Sequence, residues 1–245
     1  MSIELASVVI VPGFPARHGF STTAMGSMGL TGSPDPKSVL ERRQRLAAEV
    51  GFDLNVALFA VQVHSASVKT FSRTHPQGAQ SVLDTDALGT DLPGQALVTY
   101  HADCFPVLFA DQRRGVVAAA HAGWRGSLKG VVSQTVQALH LTFGTDPQDL
   151  EVLIGPGICG RCYEVGAEVA QPLSAQYGRS ERYLAQDAGG RPRLDLAALT
   201  RLQLEDTGVP SARIRAAGWC TKEDDRWFSH RAGRPGRFLA AIVAP

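Results

Sequence analysis

Apolar residues in this chain fall into short, valine-rich runs separated by turn-forming residues. Runs at 7–11, 56–63, 96–100, 107–110, 116–120, 152–154 and 238–243 are bounded in most cases by Gly, Pro or Asp, and each predicts a strand. A different spacing lies between some of them. Val39, Leu40, Leu46, Ala47 and Val50 recur at helical intervals and predict a helix over 36–50, with Asp35 as N-cap and Gly51 as stop. Leu128, Val131, Val132, Val136 and Leu139 predict a second helix over 127–141, closed by Gly144. Weaker patterns predict helices over 166–175 and 195–207, and Asp187 to Pro192 predicts a turn between hairpin strands.

Strands and helices mix without regular βαβ alternation, so the expected fold class is α/β of the mixed α+β kind. Mixed β-sheets flanked by helices would form one domain over residues 1–245, since no repeat, low-complexity stretch or linker interrupts the chain. Residues 13–35 hold five glycines and predict a long loop near an active edge, or a lid.

Composition narrows the function class. With 44% hydrophobic and 19% charged residues the chain is an ordinary globular sequence. A formal net charge of +1 gives no electrostatic reason to expect a nucleic-acid or membrane-surface partner. The start Met1-Ser-Ile-Glu-Leu5 lacks the form of a secretory signal, and no apolar run approaches the roughly 20 residues of a membrane span. Four cysteines in 245 residues make no disulfide framework, so a cytoplasmic setting is expected.

Chemistry concentrates where predicted strands end. His101-Ala-Asp103-Cys104-Phe-Pro106 joins two runs, Ala120-His121-Ala-Gly-Trp-Arg125-Gly126 follows a third, and Val61-Gln-Val-His64 ends a fourth. Two imidazoles and a thiolate from three strand ends suit zinc with an open fourth position, and a thiolate with imidazoles also binds copper. The residues are far apart in sequence and form no local ligand motif. A buried Cys104 acting as a small hydrophobe beside two hydrogen-bonded histidines is the alternative. Asp103 is placed to orient His121 or to act as a base. Arg125, at the start of the second helix, is a candidate anion site or a surface arginine stacked on Trp124. His101 is a candidate further ligand or proton carrier, or an ordinary strand-end histidine.

Other motifs lead less far. No Gly-x-Ser-x-Gly elbow or Walker loop is present. Gly155-Pro-Gly-Ile-Cys-Gly160 spells a dinucleotide fingerprint, yet no helix clearly follows it, and a glycine-rich turn explains it as well. Cys104 with His121 also fits a cysteine hydrolase. Cys159-x-x-Cys162 invites a redox or zinc-knuckle reading, but no second such pair and no thioredoxin-like context accompany it, so neither role is expected.

Taken in order, several segments resemble the laccase-domain family, the YfiH-like proteins once called multicopper polyphenol oxidases. They are Gly19-Phe-Ser-Thr22, Gln62-Val-His64, Ala102-Asp-Cys-x-Pro-Val107 and His121-Ala-Gly-Trp-Arg-Gly126. Ile154-Gly-Pro-x-Ile158, Cys162-Tyr-Glu-Val165, Cys220-Thr221, Phe228-Ser-His-Arg231 and Gly236-Arg237 complete the series. The resemblance implies a layered fold similar to cysteine hydrolases and zinc ligation by His64, Cys104 and His121. It implies phosphorolysis of purine nucleosides (adenosine, inosine, guanosine, methylthioadenosine), with adenosine deamination beside it. Asp103, Cys104 and Arg125 would be catalytic, and Ser21, Arg43 and Arg125 would contact nucleoside or phosphate. An amidase acting on peptidoglycan precursors, a copper-dependent phenol oxidase and a zinc-binding protein without turnover are the alternatives. Seven histidines with no His-x-His pair are too few and too scattered for a four-copper enzyme. The expected state is a monomer or weak homo-oligomer. The chain departs from the family pattern at Thr23, where arginine is usual, and at Arg42 and His101, where asparagine and threonine are usual.

Overall fold

The computed structural model describes residues 6–30, 34–72 and 80–245. In chain order the elements begin with β1 (Val8–Val9), β2 (Arg17–Ser21), α1 (Pro36–Val50), β3 (Leu58–Ala60), β4 (Val68–Phe71), β5 (Gln80–Val82) and β6 (Ala87–Thr90). Then come β7 (Ala96–His101), β8 (Phe105–Asp111), β9 (Val116–Ala122), α2 (Trp124–Leu128), α3 (Val131–Phe143) and β10 (Glu151–Ile154). The chain closes with α4 (Ala167–Tyr177), β11 (Leu184–Gln186), β12 (Pro192–Leu194), α5 (Leu196–Asp206), β13 (Ile214–Ala216) and β14 (Phe238–Val243).

Two six-stranded mixed sheets face each other, in the orders β1-β2-β14-β7-β3-β5 and β13-β10-β8-β9-β6-β4. Residue alternation along the strands explains why the apolar runs are nearly continuous. Phe238, Ala240 and Ile242 of β14 point into the space between the sheets, against Leu108, Val117 and Ala119. Leu239, Ala241 and Val243 point the other way and pack with Leu46 and Val50 of α1. On the second sheet, Val107, Phe109, Ala118 and Ala120 turn outward to a layer that includes Val132, Val136 and Leu139 of α3. Strands buried on both faces need apolar residues at every position, and the result is a helix–sheet–sheet–helix stack.

The expected fold class holds. The first helix matches its predicted bounds, with the Asp35 carboxylate accepting the Ser38 N–H at 3.1 Å and Gly51 in the left-handed region. The second differs: Gly130, at φ 79°, breaks it into α2 and α3. The long loop predicted over 13–35 is also corrected, because Arg17–Ser21 form β2, hydrogen-bonded to both β1 and β14. Residues 31–33 of that loop lie outside the described residues. Among the described residues no helix is long and apolar enough to cross a membrane.

Leu108 is fully buried between the sheets. Leu108→Ala should lower the free energy of unfolding by about 2–5 kcal/mol, read from urea denaturation with an unchanged m-value.

Candidate metal centre

The β8–β9 hairpin turns at residues 111–116, so its open end carries the start of β8 and the end of β9. Register pairs Phe105 with Ala122 and Pro106 with His121, which places Cys104 beside the end of β9. On the other flank of β9, Ala87 of β6 pairs with Ala120, and the His121 N–H donates to the Asp86 carbonyl at 2.8 Å. His64 arrives on the segment after β3, in the left-handed region at φ 57°. One ligand atom each from His64, Cys104 and His121 then lie within 4.8 Å of one another.

Asp86 holds this arrangement. Its carboxylate accepts the backbone N–H groups of Val63 (3.1 Å), His64 (3.0 Å) and Ser65 (2.7 Å), and the Ser65 hydroxyl at 2.7 Å. It also accepts from His121 Nδ1 at 2.9 Å, which leaves Nε2 as the free ring nitrogen of His121. Burial works against the Asp86 charge. The hydrogen bonds from His121 and Ser65 nonetheless hold its carboxyl well below the usual carboxylate range.

The same electrostatics govern the thiol. Burial favours the neutral form of Cys104, but the His121 charge and hydrogen bonds with His121 and His64 bring it down to about 6. Burial likewise opposes an imidazolium at His121, and Cys104 with Asp86 overcomes this and raises it to about 9. Without metal the pair therefore rests as thiolate and imidazolium between those values. Gly123 permits the close approach: a Cβ there would sit 2.7 Å from Cys104 Sγ and 3.3 Å from the His64 ring. A thiolate, two imidazoles and a carboxylate behind one of them fit a borderline-soft divalent cation.

The other expected site residues divide. Asp103, also in the left-handed region at φ 84°, accepts from the Thr221 and Ser229 hydroxyls at 2.7 and 2.6 Å and from the Arg231 N–H at 2.8 Å. It braces loops beside Cys104, and the orientation of His121 expected of it belongs to Asp86. Arg125 is exposed in α2 with its guanidinium 4.3 Å from the Trp124 ring centroid. It lines an open cleft of about 510 Å³ with Trp124, Tyr163, Glu168, Arg191 and Arg231. Burial and then the Cys104 charge push the Tyr163 phenol up to about 12. Trp124, a wall of the cleft, directly follows Gly123, whose Cβ position is 2.7 Å from Cys104 Sγ, so the cleft adjoins the thiol.

Ser21 and Arg43 do not reach that cleft. Ser21 is fully buried in β2, where its hydroxyl accepts the Leu239 N–H at 2.9 Å. Arg43 is buried on α1, donating to the Met28 carbonyl and to the Tyr100 hydroxyl, both at 2.8 Å. In this structure both side chains make packing and latching contacts. His101 is not a further ligand: its ring nitrogens face the Cys104 carbonyl at 3.1 Å and the Thr99 hydroxyl at 2.8 Å. Burial keeps it neutral. The departures at Thr23 and Arg42 are tied down, Thr23 to the Asp225 carbonyl at 2.8 Å and Arg42 to the Ser27 carbonyl at 3.0 Å. The Gly155–Gly160 stretch is a turn, as a Cβ at Gly157 would fall 2.4 Å from the Phe105 ring, and no helix opens before α4.

The sequence model of the multi-copper polyphenol oxidoreductase laccase family matches residues 13–245. The chain belongs to that family. A purine nucleoside phosphorylase of Deinococcus radiodurans is 38% identical over 244 residues, covering 96% of this chain and 91% of its own. The crystal structure of YlmD from Geobacillus stearothermophilus superposes with a TM-score of 0.90 at 31% identity, over 99% of this chain and 98% of that one. That of the Bacillus licheniformis protein YfiH gives 0.86 at 28% identity, over 93% and 92%.

Two measurements probe this centre. Asp86→Asn should weaken metal affinity about 10–100-fold, read by competition with a chromogenic chelator, because the tautomer of His121 and the placement of His64 both lose their anchor. In metal-free protein, alkylation of Cys104 by iodoacetamide should accelerate as pH rises through about 6 and level off above it. His121→Ala should move that rise upward, toward the ordinary thiol range.

Proposed function

We propose that this chain is a purine nucleoside phosphorylase whose His64, Cys104 and His121 hold a zinc ion at the rim of the Arg125 cleft. The observation that carries the reading is the convergence of three ligand atoms within 4.8 Å, beside a cleft lined by three arginines and two aromatic rings. When bound, the ion supplies Lewis-acid polarisation of a substrate oxygen. Names borne by relatives such as the Deinococcus radiodurans protein support the same reaction class.

The chain's own residues supply the rest. Arg125 and Arg231 present guanidinium groups to an incoming phosphate, a geometry suited to its oxygens. Trp124 and Tyr163 offer flat faces to a purine; Arg231 already stacks 4.9 Å from the Tyr163 ring centroid and Arg125 on Trp124. In phosphorolysis a phosphate oxygen bonds to C1′ as the glycosidic C–N bond breaks, and the purine leaves with a proton on a ring nitrogen. Asp103 already accepts three hydrogen bonds, so it holds the Arg231 loop in place while Arg125 stabilises charge. Deamination of adenosine at the same centre would extend the activity. Phenol oxidation is less well supported, since the described residues bring only one histidine-bearing ligand group together.

Incubation with adenosine, inosine, guanosine and methylthioadenosine, with and without phosphate, tests this. Free base and ribose 1-phosphate (or its methylthio analogue) should form only with phosphate, and Arg125→Ala should lower kcat/KM for phosphate roughly 10–100-fold. Base release without phosphate dependence would overturn phosphorolysis. Turnover of a peptidoglycan-precursor amide in its place would favour the amidase.

A further inference from the structure

Cys159-x-x-Cys162 does have partners, some 60 residues further along the chain. The Cys162 N–H donates to the Cys159 carbonyl at 2.9 Å and closes one tight turn. The Glu223 and Asp224 N–H groups donate to the Cys220 carbonyl at 3.2 and 3.0 Å and close another. A parallel bridge between Gly157 and Cys220 sets the two turns face to face. One ligand atom each from Cys159, Cys162, Cys220 and Glu223 consequently lie within 4.8 Å of one another. All three thiols are free of disulfides.

We propose that Cys159, Cys162, Cys220 and Glu223 form a second metal site, one that takes zinc in a closed set of three thiolates and one carboxylate. Two sulfurs on a tetrahedral zinc stand about 3.8 Å apart, which fits within the observed cluster. Each turn presents its two ligands at i and i+3, so neither backbone must move for both to face one point. The Cys159 N–H donates to Cys220 Sγ at 3.3 Å, the kind of outer bond that supports a thiolate ligand. Arg161 binds Glu223 Oε2 at 2.9 Å, and Oε1 lies 3.2 Å from Cys162 Sγ, on the sulfur side. Uptake replaces three thiol protons, released to solvent, by one Zn²⁺ with no change in oxidation state.

Four protein ligands leave no open position, so this site is structural where the His64 group is open. It lies behind the reactive thiol. The Ile158 N–H donates to the Asp103 carbonyl at 2.9 Å, and the Thr221 hydroxyl to the Asp103 carboxylate at 2.7 Å. An ion joining the turns that carry Ile158 and Thr221 would clamp Asp103, and through it the loop that ends in Cys104. The proposal does not depend on which reaction the first centre runs.

Full-length protein prepared with reductant and zinc should hold about two metal equivalents by elemental mass spectrometry. His121→Ala should retain one, and its cobalt-substituted form should show the strong thiolate-to-metal charge-transfer absorption of a three-sulfur site. Cys159→Ser with Cys162→Ser should remove that absorption and one equivalent. Glu223→Gln, at an exposed position, should keep the fold and speed loss of zinc to a chelator several-fold. A His121→Ala protein that folds but binds no metal would overturn the proposal. So would a disulfide among the three cysteines in the reduced, zinc-supplied chain.

Discussion

Five donors converge on the Asp86 carboxylate, and the geometry around Cys104 depends on it. Three are successive backbone N–H groups at residues 63–65, one is the Ser65 hydroxyl and one is the His121 ring. A buried carboxylate is tolerated only when its lone pairs are filled by such donors. The same five bonds do two unrelated jobs. They pin His64 in a left-handed conformation that costs about 1–3 kcal/mol when unsupported, and they select which nitrogen of His121 faces the thiol. Two histidines from distant parts of the chain are thereby referred to one fixed charge.

Sheet pairing makes that reference rigid. Asp86 precedes β6, and β6 pairs with β9 in a register that brings Ala87 to Ala120. The carboxylate and His121 therefore sit side by side by backbone hydrogen bonding before any side chain chooses a rotamer. Slipping this register by one residue would turn His121 to the opposite face, toward the helix layer and away from His64 and Cys104. The alanines of β9 matter here. Ala118, Ala119 and Ala120 are all fully buried, and their small size lets a sheet and a helix layer approach the strand from its two sides.

How much of this was legible in the chain follows from the range of the interactions. His64, Cys104 and His121 stood out because each borders a local apolar run, and α1 announced itself by its cap at Asp35 and its stop at Gly51. Asp86 did not, since it lies between the predicted runs and its meaning comes only from pairing with β9. β2 was hidden for the same reason: Arg17-His-Gly-Phe-Ser21 has no strong alternation, and its place is set by β14 over 200 residues away. That placement buries Ser21, whose motif had suggested substrate contact. Motif membership marked these segments while leaving open which members face the cleft and which hold the scaffold.

Asp103 shows how the scaffold and the cleft become one unit. Its left-handed backbone turns the chain sharply just before Cys104, and its carboxylate is filled by Thr221, Ser229 and the Arg231 N–H. Arg231 is itself a wall of the cleft, with its guanidinium over Tyr163. The loop that carries the thiol and the loop that carries a cationic wall therefore share one carboxylate. A shift of the segment 220–231 would displace the arginine relative to the thiol through a single hydrogen-bonded residue. The Cys220 turn lies at the start of that segment, so whatever fixes the turn also fixes the distance between the ligand group and the cationic wall.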